Sequence, residues 1–486
     1  FANILQTGNW VATWKSSDMK MTDVMQIVSP VDGRTYAERP FASEQDIRHA
    51  LGLSMATQAK WRQIPLAERQ SICLAAVDAL LKNKQAIGEE LSWQMGRPIR
   101  YAPGEIDGFA ERARYMIGIA EQHLSDVPLA NEDHVTRYIQ REPVGVVFSV
   151  VPWNYPYLTA VNSIIPAIVA GNVVLMKPSS QTAITAERIA EAFKSANLPE
   201  GVFQHLLLTH EATVKIIAEE QIDYVAFTGS VEGGRIIEQA AAGRFIDVGL
   251  ELGGKDPAYV RADADMAFAI ENIADGGFFN SGQSCCAIER IYVHQDVYRP
   301  FVDGLVDRVS QYRLGNPLDP QTTLGPMVRA GLADQVRKQI QQAVKKGAQA
   351  RIDSKVFGVD SEKQGMAYLA PQVLINVDHT MPVMSEETFG PVVGIMQVAS
   401  DEQAIQLMND SAYGLTASVW TQDQQAAIDI GKQVRTGTWF MNRCDYLDPA
   451  LAWTGIKHSG KGCSLSGFGY QRLTRPKSFY LRTSTK

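Results

Sequence analysis

The apolar positions of this chain change period as the sequence is followed. Between residues 65 and 125 they recur every three or four places among Ala, Leu, Glu, Arg and Gln. In "LAERQSICLAAVDALLKNKQAIGEEL", Ile72, Ala75, Ala76, Leu80 and Ile87 fall along one side, which predicts helix. "HVTRYIQREP" then alternates and predicts an extended ribbon. From 144 onward, short unbroken apolar runs take turns with helical stretches. "VGVVFSVV" ends at Pro152, and "VNSIIPAIVAG" is helical. "NVVLMKP" is a strand ended by Pro178, and "AITAERIAEAFKSANL" is a helix stopped by Pro199. "VFQHLLL", "DYVAFTGS" and "DVGLELGG" read as strands; "EATVKIIAEE" and "VEGGRIIEQAAAG" read as helices, the latter closed by Gly243.

A strand buried on both faces has no polar side to show, so continuous apolar runs point to a parallel sheet. Their alternation with helices predicts a doubly wound α/β fold. Ligands in such sheets bind beyond the carboxyl ends of the strands. Trp153, Asn154, Lys177, Gly229 and Ser230 all stand at those ends. Residues 254–456 repeat the mixture and predict a second α/β domain. The tail "SFYLRTS" alternates and predicts an edge strand in need of a partner.

Composition narrows the function classes. The chain has 486 residues, 45% hydrophobic and 20% charged, with a net charge of −7 and no Lys/Arg run, so nucleic acid is not the expected partner. Its five cysteines are few, odd in number and scattered, which suits a reducing compartment, and the cytoplasm is expected. No Cys/His spacing suits a zinc site, so no metal is expected. The apolar runs are too short for a membrane span. "FANILQTGNW" lacks the basic-then-apolar order of an export signal.

Four segments carry candidate chemistry. In "FTGSVEGG" a strand meets a helix that starts with Gly233 and Gly234, where free N–H groups favour a phosphate. A plain glycine turn reads equally well, and the spacing is not G-x-G-x-x-G. "GLELGGKD" nearly matches a phosphate-binding P-loop, but Asp256 stands where a magnesium-binding hydroxyl belongs, and its charge would repel phosphate. What remains there is Glu251, either a buried carboxylate satisfied by hydrogen bonds or a general base raised by burial. In "FFNSGQSCCAIERIYV", Cys285 and Cys286 lie between a helix and a strand, as a nucleophile or as two small buried hydrophobes. In "VPWNYP", Asn154 either holds an oxyanion or forms a turn before proline.

Taken together and in order, Asn154, Lys177, Gly229-Ser230, Glu251, Cys285 and "EETFGP" at 386–391 resemble the aldehyde dehydrogenase superfamily, from "PWNYP" to "GIKHSGKG". "ELGGK" with G-Q-x-C carries most of that resemblance.

The resemblance implies two doubly wound α/β domains, one binding NAD or NADP and one catalytic, with a small β element for oligomerisation. The expected boundaries are 1–123 with 144–253 for the cofactor, 254–456 for catalysis, and 124–143 with 470–486 for assembly into a homodimer or homotetramer. The partner is then a small-molecule aldehyde. Cys285 is the implied nucleophile, Asn154 the oxyanion donor and Glu251 the base that activates water. Trp153 and Lys177 are assigned to the adenosine side. Phe227, Gly229, Ser230 and Gly234 are assigned to the diphosphate turn, Leu252 and Gly253 to the carboxamide, Glu387 to the nicotinamide ribose and Phe389 to the ring. Ser180 stands where members that prefer NAD often carry Glu, so NADP is expected to be tolerated. The implied substrate tunnel holds Tyr155, Thr159, Asn162, Ser284, Leu447 and Trp453. Succinate-semialdehyde members carry Arg at the Asn162 position, and betaine-aldehyde members tend to carry Trp there. Glu105, Asp107, Asp445 and Asp448 read either as a group at the tunnel mouth that favours an amino-aldehyde or as a solvated acidic rim, and the expected substrate is a neutral or amino-aldehyde.

Overall fold

A computed structural model describes residues 24–130, 132–218, 221–358 and 365–484. The reading of the first ten residues lies outside that range.

An antiparallel hairpin, β1 (Val24–Val28) with β2 (Thr35–Pro40), leads into helices Glu44–Trp61, Leu66–Lys82, Lys84–Met95 and Gly104–Leu124. The single helix expected across 66–91 is two. Asn83 closes the first with its N–H on Leu80 and Leu81 carbonyls and opens the second. The buried stripe of Leu66–Lys82 is Arg69, Cys73, Ala76, Val77 and Leu80, while Ala75 faces outward and Ile72 is half-buried. That spacing is the ordinary four-and-three step of a helix against a core.

Two short strands follow, β3 (Val127–Pro128) and β4 (Val135–Pro143). The first large sheet then forms from β5 (Val146–Val150), β6 (Val173–Lys177), β7 (Phe203–His205), β8 (Tyr224–Thr228) and β9 (Asp247–Glu251). All five run parallel, in the order β9-β8-β5-β6-β7. Every residue of β5 is buried, as its apolar run requires. The chain winds outward from β5 through β6 and β7, then returns to place β8 on the other side. The crevice beyond β5 and β8 is therefore the switch point where such sheets bind ligands.

Only residues 252–255 separate β9 from β10 (Asp256–Val260) of the second sheet. That sheet adds β11 (Ile288–His294), β12 (Gln349–Ala350), β13 (Gln372–Ile375), β14 (Val392–Val398), β15 (Thr416–Trp420) and β16 (Thr438–Met441). The order is β12-β13-β14-β11-β10-β15-β16, parallel except for β12. The short link brings the carboxyl end of the first sheet against the amino end of the second.

The chain then returns to the first sheet. Strand β17 (Gly460–Lys461) pairs antiparallel with β9, and Tyr470 Oη donates to the Met116 carbonyl at 2.7 Å. Strand β18 (Thr474–Arg482) pairs with β4 along its whole length, from Thr474 opposite Pro143 to Arg482 opposite Val135. Tyr138 stacks on Phe479 across that ladder at 4.6 Å. The predicted edge strand thus has its partner within the same chain and leaves its other edge open.

Candidate active site

The cysteine segment is shaped before the cysteines are reached. Helix Met266–Phe278 starts at Asp265, whose carboxylate accepts the Phe268 N–H at 3.1 Å. After it, Asn280, Ser281 and Gly282 are all left-handed, with φ of +53°, +57° and +69°. For Asn and Ser that conformation costs about 1–2 kcal/mol each, so surrounding contacts must hold it. Ser281 Oγ donates to the Gly325 carbonyl at 2.8 Å. Gln283 Nε2 donates to the Asn280 carbonyl at 3.0 Å, and its Oε1 accepts the Val328 N–H at 2.8 Å. A Cβ on Gly282 would collide with the Gly390 carbonyl. The Gly and Gln of G-Q-x-C are therefore the parts that bend and pin the loop.

The two thiols end up in different settings. Cys285 is half-buried and Cys286 is buried. Cys286 Sγ donates to Asp445 Oδ1 at 3.1 Å, the same oxygen that accepts from Ser284 Oγ at 2.7 Å. A hydrogen bond with Cys285, burial and the Asp445 charge all push the Cys286 thiol well up, so it stays protonated. Cys286 is packed away, though as a hydrogen-bond donor as well as a small hydrophobe.

Asn154 follows β5 and is buried. Its Nδ2 donates to the Gln283 carbonyl at 3.1 Å, two residues before Cys285. An amide carries two N–H groups, which leaves a second donor beside the thiol loop. The Asn154 backbone carbonyl accepts from Arg97 Nη2 at 2.5 Å and from Asn280 Nδ2 at 3.3 Å. Arg97 forms a buried ion pair with Glu105. Glu105 Oε1 also accepts the N–H groups of Tyr157 at 2.7 Å and Leu158 at 3.3 Å, at the start of helix Pro156–Val169.

This corrects the expected acidic rim. Glu105 is buried, and its charge is spent on Arg97 and a helix N-terminus. Asp107 pairs with Lys84 at the surface, and Asp448 accepts the Ala450 N–H. Of the four, Asp445 alone bonds to the cysteine loop.

Glu251 ends β9 opposite Thr228, the last residue of β8. Its Oε2 accepts from Thr228 Oγ1 at 3.1 Å and its Oε1 from Ser464 Oγ at 2.5 Å. Burial raises its pKa above the usual carboxyl range. The Ser464 and Thr228 bonds, the Arg112 charge and the Asn162 amide oppose that rise. Glu251 faces a cavity of about 40 Å³ that Thr159, Asn162, Trp453, Cys463 and Ser464 also line, with room for a few ordered waters. Of the expected tunnel residues, Thr159, Asn162 and Trp453 thus meet at Glu251. Ser284 meets Asp445, the Tyr155 ring lies under the Arg97 guanidinium at 4.5 Å, and Leu447 packs on the core of the first sheet.

The cofactor side is assembled from both sheets. Lys177 ends β6, and burial alone brings its ammonium down to about 8; among the described residues no carboxylate lies within ion-pair distance of it. Ser180 opens the turn Ser180–Thr182 just beyond. The helix after β8 starts at Val231 rather than at the glycines, with Ser230 Oγ accepting the Gly233 N–H at 3.1 Å. Gly229 and Gly233 make room for the Phe227 ring, 2.7 and 2.8 Å from where a Cβ would stand, and Gly234 makes room for Leu252. Packing within the chain thus accounts for those glycines.

Glu387 Oε1 accepts the Gly254 N–H at 2.9 Å, in space that a Cβ on Gly253 would fill. Burial, with the Glu289 charge, pushes Glu387 up to about 8. Phe389 has φ +53°, held because Glu289 accepts its N–H at 2.8 Å and that of Thr388 at 2.9 Å. Lys255 forms a buried ion pair with Glu289, and Asp256 accepts from Thr416, so neither faces a phosphate. Trp153 meets Phe389 edge-on at 5.6 Å, which sets it on the Phe389 side of the crevice and not solely with Lys177. A cation without a counter-ion, a capped helix start at the switch point and a buried carboxyl on the Gly254 N–H fit a nucleotide with its phosphates and riboses.

Sequence reasoning missed Arg97, Arg112, Ser464 and Glu289. The signal was present for two of them. Arg112 sits on the buried face of its helix seven residues after Glu105, and Glu289 interrupts an apolar strand. A charge at a core position needs a partner or a task.

The profile of the aldehyde dehydrogenase family matches residues 14–479. The chain is 31% identical to the NADP-dependent succinate-semialdehyde dehydrogenase of Mycobacterium avium over 463 residues, 94% of this chain and 96% of that one. It is 29% identical to the betaine aldehyde dehydrogenase of Bacillus subtilis over 480 residues, 98% of this chain and 96% of that one. Among solved structures, PnpE in complex with nicotinamide adenine dinucleotide superposes with a TM-score of 0.91 at 28% identity, covering 95% of each chain. An NADP-dependent enzyme of E. coli superposes with a TM-score of 0.90 at 26% identity, covering 94% of this chain and 95% of that one.

Proposed function

Since the chain belongs to the aldehyde dehydrogenase family, we propose that it oxidises an aldehyde to its carboxylate with NAD or NADP, through a covalent bond to Cys285. The observation that carries the assignment to Cys285 is the asymmetry of the paired thiols. The Cys286 proton is tied to Asp445, and Cys285 is the half-buried sulfur two residues beyond the Gln283 carbonyl that Asn154 binds.

The reaction then runs as follows. The Cys285 thiolate bonds to the carbonyl carbon, and the carbonyl oxygen becomes an oxyanion. The free N–H of Asn154 Nδ2 and the Cys285 backbone N–H stabilise that oxygen. When bound, the nicotinamide supplies the acceptor for the hydride that leaves this carbon. A thioester to Cys285 remains. Glu251 takes a proton from a water in the adjoining cavity, the resulting hydroxide attacks the thioester, and the Cys285 sulfur departs as thiolate. A carboxyl raised by burial holds that proton well enough to act as base near neutral pH.

Lys177, Ser230, Glu387, Trp153 and Phe389 would hold the cofactor. Ser180 supports the use of both cofactors, because a neutral hydroxyl does not repel a 2′-phosphate and Lys177 lies three residues away. A cytoplasmic location, suggested by the free cysteines, and a homodimer or homotetramer joined through β4 and β18 belong to the same proposal.

The test is the absorbance of reduced cofactor across aliphatic, aromatic, acidic and amino-aldehydes, each with NAD and with NADP. Cys285→Ala should lower turnover by about 10³-fold or more, and Cys286→Ala by far less. Equal losses in both variants would remove the assignment of roles.

A further inference from the structure

Beyond aldehyde oxidation itself, we propose that Arg112, with Asn162, forms an anion subsite that selects aldehydes carrying a carboxylate at their far end. The proposal rests on the reading of Cys285 as the attacking group, because it names what binds beside that sulfur.

Arg112 is 9% exposed and sits in helix Gly104–Leu124 on the face turned toward the catalytic groups. Its Nη1 donates to the Leu158 carbonyl at 2.7 Å and to Asn162 Oδ1 at 3.4 Å. Among the described residues, its Nε and Nη2 make no hydrogen bond, and no carboxylate lies within ion-pair distance. The other buried arginine beside the cysteine loop, Arg97, is neutralised by Glu105; Arg112 is not.

The groups that face it are known. Burial pushes the Arg112 pKa down, and the groups that counter this through charge are Cys286, Glu251, Glu105 and Cys285; its Nη1 reaches Asn162, which lines the Glu251 cavity, so the guanidinium borders the catalytic groups. Asp445, which Arg112 also influences, is occupied by Ser284 and Cys286. Glu251 is occupied by Thr228 and Ser464. Both carboxyls are raised by burial, and neither closes on Arg112. A buried guanidinium that bonds two neutral oxygens and no carboxylate keeps an uncompensated charge, and an incoming anion is the simplest remedy.

Two further donors are orphaned, one on the Asn162 that Arg112 binds and one on Tyr155, whose ring lies against Arg97. Asn162 Nδ2 and Tyr155 Oη are buried with no hydrogen-bond partner. Asn162 is 4% exposed and lines the Glu251 cavity; its amide eases the Glu251 rise without reaching hydrogen-bond distance. Native proteins rarely leave such groups unsatisfied, and a substrate is the usual reason when they do. An arginine with two open N–H groups offers the planar fork that a carboxylate fills with both oxygens. The residue at position 162 is Asn here, but Arg112 brings a positive charge to the same spot from a neighbouring helix.

The test compares kcat/KM for three aldehydes of similar length: 4-oxobutanoate, butanal and a trimethylammonium aldehyde. Wild type should use 4-oxobutanoate at least about 10-fold better than butanal, and the cationic aldehyde least well. Arg112→Met should lower the ratio of acidic to neutral turnover by about 10- to 100-fold, the worth of one charge-assisted pair, with Arg112→Lys between. A ratio responds to recognition and not to a general loss of folded enzyme. In parallel, succinate alone should slow alkylation of Cys285 in wild type and not in Arg112→Met. Equal use of butanal, preference for the cation, or a ratio unmoved by Arg112→Met would overturn the subsite. Should no aldehyde react while succinate still protects Cys285 through Arg112, the subsite stands and the oxidation falls. Turnover of butanal without protection by succinate would leave the oxidation and remove the subsite.

Discussion

Glu251 and Glu387 are carboxyl groups raised by burial, so their effect on stability runs opposite to that of a salt-bridged carboxylate. Glu387, at about 8, binds its proton more tightly folded than unfolded. Its contribution is full below the unfolded value of about 4.3 and is lost as pH rises to about 8. Calorimetry of the cofactor-free protein should therefore show Tm falling between pH 5 and 8, with a smaller fall in Glu387→Gln; an identical slope would contradict the burial of that carboxyl. For Glu251 the expectation is kinetic. Glu251→Gln should release one equivalent of reduced cofactor per chain in a burst and then turn over about 10²–10⁴-fold more slowly. The acid limb of the wild-type pH profile should vanish with it, and stopped-flow absorbance would show a retained limb if water activation lies elsewhere. At this scale the sequence offered candidates by residue type. Cys285, Asn154 and Glu251 could be singled out one by one, each beside a structural alternative. Arg112 could not, because a single buried cation gains its meaning from what fails to stand beside it.

At the scale of elements, the bent segment 279–284 decides how the sulfur is presented. Gly282 combines a φ of +69° with close approach to the Gly390 carbonyl, so Ala there meets both strain and collision. Gly282→Ala should cost about 1–3 kcal/mol of stability and slow alkylation of Cys285 together with turnover, measured by denaturant unfolding and thiol labelling. Normal labelling in a destabilised variant would show that the loop does not set the thiol. Strand and helix types were largely legible: β5 and β6 are the buried apolar runs expected of parallel strands, and β8 and β9 are strands as expected, though only partly buried. The break at Asn83 was not, because apolar spacing continues across it. The acidic rim failed for a related reason. Sequence gives the charge of Glu105 but not the guanidinium and helix start that consume it.

At the scale of the molecule, the site exists because two parallel sheets meet through four residues, 252–255, and the chain returns after β16 to lay Ser464 on Glu251. That return was hidden from sequence, where residues around 460 read only as part of the family pattern; strand order is a matter of long-range pairing, which local periodicity does not encode. The open edge of β18 bears Tyr480 at 62% and Leu481 at 45% exposure, so light scattering should give the mass of two or four chains; a monomer at micromolar concentration would refute assembly through this element. The central claim joins these parts: the junction of the sheets serves covalent chemistry at one sulfur of an adjacent pair. Its most direct test is peptide mass spectrometry of Glu251→Gln quenched with aldehyde and oxidised cofactor. The account predicts an acyl group on Cys285, placed by fragmentation between residues 285 and 286. An acyl group on Cys286, or turnover with no acylated cysteine, would contradict it.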